Sequence, residues 1–268
     1  MSVMEMDTES LRRMQFIELE LLIEIDRICR LNEIKYNICG GTLIGAVRHK
    51  GFIPWDDDID IRMLRSEYIK FTKACEKNLD SNLFFLQNFS SDLKYRWGYA
   101  KILKKDTIYI RTGQEHLGIK NGVYIDIFVS DGIPQNNILR KIHNCICYAV
   151  RKILWSPVGA KLSGNKKLRI WYKLLSLIPR SVPICVINLL ARLFNEKNCE
   201  EFRALTFPQK RGLKKNWFTE LTELEFEGHN FYAPSDYNGW LTQEYGDYME
   251  LPPPEKRISH STASYYKF

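Results

Sequence analysis

The chain has 268 residues, 45% hydrophobic and 13% aromatic, enough to bury a substantial core in one large domain or two small ones, which excludes disorder as the default. No run approaches the roughly 18 to 20 consecutive apolar residues of a membrane span, and the N-terminal MSVMEMDTES is acidic where a signal peptide is basic, so a cytoplasmic chain is expected. The net charge of +7 is unremarkable as a total but gathers in one segment.

In chain order, Leu11, Met14, Ile17, Leu21, Ile25 and Ile28 recur at three- and four-residue spacing and predict a long amphipathic helix from Thr8 to Glu33, with Thr8 or Asp7 as its cap. A short strand is expected over Lys35 to Cys39, ending at Gly40-Gly41, with a helix from Thr42 to His49 directly after the glycines. A turn at Lys50-Gly51 leads through Pro54-Trp55 into DDIDIRM, where Asp58 and Asp60 alternate with Ile59 and Ile61 as on a strand with one polar and one apolar face. A helix from Ser66 to about Asn78 follows.

Leu83 to Phe89, Tyr99 to Leu103, Thr107 to Arg111 and Gly122 to Phe128 read as short strands completing one sheet. From Gly132 to Asn195 there is no Asp or Glu but eleven Lys and Arg, whereas the other 204 residues hold 28 basic and all 32 acidic residues. The segment reads as two or three helices broken at Pro157-Val158-Gly159, Pro179 and Pro183. Its interleaved Leu, Ile, Trp and Tyr favour an anionic membrane surface over nucleic acid as partner, the alternative being a solvated basic helix face. Leu224 to Phe226 and Phe231-Tyr232 predict a hairpin around Gly228-His229-Asn230, Asp236 to Tyr245 a short helix, and LPPPEKRISH an irregular tail able to close over a site. Seven cysteines with no C-x-x-C pair form neither a disulfide framework nor a zinc ribbon, and mostly buried thiols are expected.

Four carboxylates within WDDDID are costly side by side unless a cation sits among them. On a strand, Asp58 and Asp60 lie about 7 Å apart on one face and can reach one Mg²⁺, or Mn²⁺, while Ile59 and Ile61 pack behind. Asp126 in GVYIDIF is a lone carboxylate in an apolar strand; beside the first strand it would bind metal or accept a proton, the alternative being a structural pair with Lys101. A helix opening at Gly41-Thr42 offers free N–H groups and a positive dipole end to phosphate, with Arg48, His49 and Lys50 as cations at its far end. Asp56, Asp58, Asp60 and Glu67 also fall at positions 1, 3, 5 and 12 of a calcium-binding loop, but Ile61 stands where that loop needs glycine.

The run GGTLIGAVRHKGFIPWDDDID resembles the signature of the LicD/fukutin family of phosphotransferases. GVYIDIFVSDGIP is similar to the family's second acidic motif, and EYGDYMELPPPEKRISH to its C-terminal motif. Two departures are the sixteen residues between Gly41 and Asp58, longer than in the wider nucleotidyltransferase superfamily though typical of the LicD branch, and Met63-Leu64-Arg65, where members often carry Met-Pro-Arg. The resemblance implies an α+β fold, a nucleotidyltransferase-like mixed sheet flanked by helices, with the basic helical segment added. The expected organisation is a catalytic core over 1–131, the basic helices over 132–200, and a segment over 201–268 completing the active site.

The resemblance further implies transfer of phosphocholine or ribitol phosphate from a CDP-activated donor to a sugar hydroxyl of a cell-surface glycan or its lipid-linked precursor, phosphocholine from CDP-choline leading. Asp58, Asp60 and Asp126 would be catalytic and metal-holding. Gly40, Gly41, Thr42, Arg48, His49, Asp57, Lys101, Arg257 and His260 would bind substrate, His260 being equally readable as a bystander. Alternatives are a glycerol-phosphate transferase, a nucleotidyltransferase acting on a small molecule, and a non-catalytic calcium- or membrane-binding module.

Overall fold

The computed structural model describes residues 6–194, 198–207, 211–258 and 262–268. Helix α1 (Thr8–Leu31) is capped by Asp7, whose carboxylate accepts the Ser10 N–H. Its buried face holds the predicted stripe of Met14, Leu21, Ile25 and Ile28, but also two polar residues, Gln15 and Glu18. After strand β1 (Asn37–Ile38) comes α2 (Gly40–His49), which starts two residues earlier than expected because the glycines form its first turn. Gly40 has φ +61°, a left-handed conformation that glycine adopts without strain.

The next elements are β2 (Asp60–Leu64), α3 (Arg65–Asn78), β3 (Phe84–Gln87), β4 (Ala100–Lys104), β5 (Ile108–Arg111) and β6 (Tyr124–Gly132). The main sheet runs β1-β2-β6-β4-β3, with β7 (Glu201–Arg203) on the C-terminal end of β6 and β8 (Leu213–Lys214) beyond it. It is mixed: β2 and β6 are parallel and the other pairs antiparallel. All nine residues of β6 are buried, as a strand paired on both edges and covered on both faces must be. Helices α1 and α3 pack on this sheet, and the largest core cluster joins them to α2 and the strands.

One expected strand lies elsewhere. Both edges of β4 are taken, by β3 and β6, so β5 finds its partner in β11 (Ala263–Lys267), with which it forms a separate two-stranded ribbon. The basic segment forms α4 (Asn137–Leu162), α5 (Lys166–Leu175) and α6 (Ser181–Leu193), with the expected break at Pro179 but none at Pro157-Val158-Gly159 or Pro183. Helix α4 runs through Pro157 because the Ile153 carbonyl, which Pro157 cannot serve, accepts the Ser156 hydroxyl at 2.7 Å. Gly159 leaves room for the Tyr172 ring of α5, which a Cβ there would meet at 2.7 Å. Pro183 sits in the first turn of α6, where its missing N–H costs little.

Helix α7 (Asn216–Thr219) precedes the hairpin of β9 (Leu221–Phe226) and β10 (His229–Pro234). Its turn is Glu227-Gly228, both at positive φ, one step before the expected position, so His229 and Asn230 belong to the strand. Helix α8 (Tyr237–Tyr245), capped by Asp236, leads to a single turn of 3₁₀ helix at Pro254–Lys256 and then to β11. All seven cysteines are free, with only Cys145 and Cys185 exposed.

Gly45 packs α2 onto the following chain, since a Cβ there would lie 2.4 Å from the Gly51 carbonyl oxygen, a backbone atom. Gly45→Ala should therefore destabilise the protein by about 1–3 kcal/mol, despite the better helix propensity of alanine, as read from urea denaturation. Unchanged or increased stability would contradict this packing.

Candidate active site

The polypeptide approaching β2 is extended, and the alternation read from the sequence holds: Ile59 and Ile61 are fully buried, while Asp58 and Asp60 open to a cavity on the other face. Three hydrogen bonds fix the backbone there. The Cys39 N–H donates to the Asp60 carbonyl at 3.0 Å, the Asp60 N–H to the Thr42 hydroxyl at 2.9 Å, and the Asp126 N–H to the Ile59 carbonyl at 3.3 Å. Strand β6 thus places Asp126 in register with Asp60 on one side and with Lys101 on the other. Lys101 Nζ lies 3.2 Å from Asp126 Oδ1 but makes no well-angled hydrogen bond to it. Asp126 thus sits beside Asp60 across the parallel strands and is also ion-paired with Lys101.

The cavity, about 1010 Å³, is walled by the first turn of α2, the acidic segment, Phe128, Phe207 and the stretch from α8 to Lys256. Gly41 is required here, because a Cβ would fall 2.2 Å from Asp56 Oδ2. Glycine also leaves the first-turn N–H groups of α2, which have no intrahelical acceptors, accessible at the wall.

Crowded like charge sets the electrostatics. Burial first, then Asp57, pushes the Asp56 carboxyl up to about 7. Asp58 is also raised to about 7, by burial and by Asp56, Asp57 and Asp126, with Arg111 opposing. Asp60 is raised well above the usual range by burial and by Asp58 and Asp126. Glu18, buried on α1, is raised likewise by burial and then by the aspartates. Burial lowers Lys101 to about 8 against the pull of Asp126.

Too many buried carboxylates for the cations at hand, one oxygen of Asp126 lacking a hydrogen bond, and all-oxygen donors fit a hard divalent ion such as Mg²⁺. Among the described residues, the trio whose carboxylate oxygens come within 4.8 Å of one another is Asp56, Asp57 and Asp58. The expected set of Asp58, Asp60 and Asp126 does not close to that distance, Asp126 being drawn to Lys101. Glu67 stands apart on α3, accepting from Lys70 and from the Lys35 N–H, so no calcium-binding loop forms.

Of the expected substrate-binding residues, Gly40, Gly41 and Arg48 line the cavity. Arg48 Nη1 donates to the Tyr248 carbonyl at 2.9 Å and its Nε to His49 at 2.9 Å. Thr42 instead holds the Asp60 backbone; Asp57 is buried beside the wall; Lys101 lies behind it with Asp126. Arg257 donates to the Pro252 carbonyl at 2.8 Å and sits 5.6 Å over the Trp55 ring, next to the cavity. His260 lies outside the described residues. Sequence reasoning missed Arg62, although the alternation that pairs Asp58 with Asp60 puts it on the same face, and it lines the cavity. It also missed Glu18, a carboxylate four residues from Met14 on the apolar stripe of α1.

Residues 33–145 match the family LicD, described as LicD/FKTN/FKRP, nucleotidyltransferase domain. Over an alignment of 279 positions, covering 96% of this chain and 98% of the relative, the chain is 31% identical to the lipopolysaccharide cholinephosphotransferase LicD of Haemophilus influenzae. It is 46% identical to an uncharacterized protein of Rickettsia prowazekii over 117 residues, 44% of this chain and 40% of that one. An uncharacterized protein of Rickettsia typhi is 46% identical over 52 residues, 19% of this chain and 17% of its own.

A carboxylate whose folded pKa is raised contributes stability that is present below its unfolded pKa and is lost as pH rises through the folded value. Asp56 and Asp58, at about 7 against an ordinary 3.8, should thus destabilise the metal-free protein as pH climbs from about 5 to about 7.5, with Asp60 and Glu18 acting in the same direction. In EDTA the melting temperature should fall by about 2–4 °C or more across that window, and Mg²⁺ should raise it more at pH 8 than at pH 6.5. A flat profile indifferent to Mg²⁺ would remove both the charge crowding and the metal.

Proposed function

The chain belongs to the LicD family of phosphotransferases, and we propose that it moves phosphocholine from CDP-choline onto a sugar hydroxyl of lipopolysaccharide or a related glycan. The observation that carries this reading is the register of Asp60 with Asp126 across parallel strands, facing a helix opened by two glycines, in a chain similar end to end to a cholinephosphotransferase.

Asp58 and Asp60, with Asp56 and Asp57 gathered beside Asp58, would hold Mg²⁺ or Mn²⁺, which would supply charge neutralisation at the diphosphate. The first-turn N–H groups of α2 face the phosphates, and Arg48, Arg62, Arg211 and Lys256 line the same cavity to balance the leaving CMP. Asp126, ion-paired with Lys101, accepts the proton of the entering hydroxyl. A new bond from the acceptor oxygen to phosphorus forms as the bond to the CMP oxygen breaks, leaving a phosphodiester. Choline over an alditol is supported by the presence of Trp55, Tyr245 and Tyr248 with Asp247 and Glu250 in the lining of the same cavity. Aromatic faces beside carboxylates suit a trimethylammonium group.

The same reading places the reaction at an anionic bilayer surface, where α5 would dock. That helix exposes Leu168, Ile170, Trp171 and Leu174 together with Lys166, Lys167, Arg169 and Lys173, and Leu177 beyond it is 77% exposed. No described helix is long and apolar enough to cross a membrane. Shallow insertion combined with roughly 1 kcal/mol per well-placed cation suffices for reversible attachment.

Asp58→Asn and Asp60→Asn should each lower turnover by about 100-fold or more with the fold retained, and Asp126→Asn should do the same. The assay is CMP release from CDP-choline, CDP-ribitol and CDP-glycerol with Mg²⁺. Turnover of the Asp58 or Asp60 variants within about tenfold of wild type would take them out of the chemistry, and release of pyrophosphate in place of CMP would indicate nucleotidyl transfer.

In liposome sedimentation the protein should bind anionic vesicles, release with rising salt, ignore neutral ones, and lose binding when Lys166, Lys167, Arg169 and Lys173 are changed to Glu. Wild-type protein left in the supernatant with anionic vesicles at low salt would sink the docking reading alone.

A further inference from the structure

A second cavity, about 510 Å³, lies between α4 and the β4–β5 region and reaches Thr262 beside β11. Its composition is the reverse of the first. Arg111, Arg151 and Lys152 line it, with no Asp or Glu among the described lining residues, whereas the first cavity carries Asp56, Asp58, Asp60, Asp247 and Glu250. Lys152 Nζ donates to the Tyr172 hydroxyl at 3.3 Å and Arg111 Nη1 to the Tyr124 hydroxyl at 3.1 Å, and among the described residues neither they nor Arg151 form an ion pair with a carboxylate. Across the same wall Trp97 and Trp155 stand with ring centroids 5.8 Å apart, Trp155 37% exposed. Flat apolar rings beside guanidinium and ammonium groups that form no direct ion pair among the described residues make a surface for the C–H face of a sugar ring that also bears an anionic group.

The two cavities abut. Phe207 lines both, and Tyr99 of the second packs 5.1 Å from Phe128 of the first. The carboxylates lie at this junction: Arg111 acts on Asp58, and Asp126 acts on both Arg111 and Tyr99. A displacement at phosphorus needs entering and leaving groups on separate approaches to one centre.

We propose that this second cavity seats the acceptor, and that the acceptor is an anionic saccharide carrying phosphate or carboxylate near the hydroxyl that reacts. The proposal rests on the reading of the protein as a transferase to a glycan. Arg151, Lys152, Trp155 and Leu162 come from α4 beyond residue 145, where the family match ends, whereas Trp97, Tyr99 and Arg111 lie within it, so the cavity joins both parts of the chain.

The test is direct binding without donor. The full chain is titrated by calorimetry and tryptophan fluorescence with the phosphorylated core oligosaccharide of deacylated lipopolysaccharide, and with the same oligosaccharide after chemical removal of phosphate. The phosphorylated form should bind about tenfold more tightly or better, and Trp155→Ala and Arg151→Gln should each weaken it by about tenfold while CDP-choline affinity stays within about twofold. No binding, equal binding of both oligosaccharides, insensitivity to both variants, or parallel loss of CDP-choline binding would each overturn the proposal. Variant-sensitive oligosaccharide binding by a wild-type protein that releases no CMP from CDP-choline would instead overturn the donor assignment and leave the acceptor site standing.

Discussion

Holding several carboxylates together in a place with little water is the constraint around which this protein is arranged. Asp56, Asp58 and Asp60 line one cavity, with Asp57 and Asp126 next to them and Glu18 nearby, and burial together with mutual repulsion raises the affinities of Asp56, Asp58 and Asp60 for protons. Neighbouring residues are committed to making this tolerable. Gly41 yields space to Asp56; Gln15 donates to the Asp56 carbonyl at 2.9 Å; Thr42 secures the Asp60 backbone; Lys101 and Arg111 bring positive charge from the β6 side. A site built in this way is preorganised for a cation and costly without one.

The polar half of the site was legible in the sequence because it depends on short-range geometry. Two-residue alternation put Asp58 and Asp60 on one face, and a lone Asp in an apolar strand marked Asp126. Register was not legible. Nothing local says that Asp60 falls opposite Asp126 or that Lys101 flanks it on the other strand, and that pairing decides how far each carboxylate can move toward a metal. Sequence spacing likewise proposed breaks at Pro157-Val158-Gly159, where one serine hydroxyl satisfies the orphaned carbonyl and the helix continues. The strand at Ala263–Lys267 lies beyond LPPPEKRISH, where no element was read from the sequence, since its partner β5 is remote in sequence and supplies the pairing that the local pattern lacks.

Both cavities draw on residues inside and outside the family match. Donor-side groups, from the glycines through Asp126, fall within the matched residues 33–145, and the chemistry they perform needs the same atoms whatever the acceptor. Helix α4 straddles that boundary: it supports a small core of its own with α6 and presents basic and aromatic side chains to the second cavity. Such a layout lets acceptor preference change by substitution on one helix face without disturbing the carboxylates.

The β5–β11 ribbon joins residues 150 positions apart, with Thr112 bonded through both its N–H and its hydroxyl to the Thr262 carbonyl. Closing so long a loop is slow and comes late, after the local helices and the central sheet have formed. During synthesis the nascent chain therefore carries its acidic cluster well before it carries the strand that holds Arg111 in place.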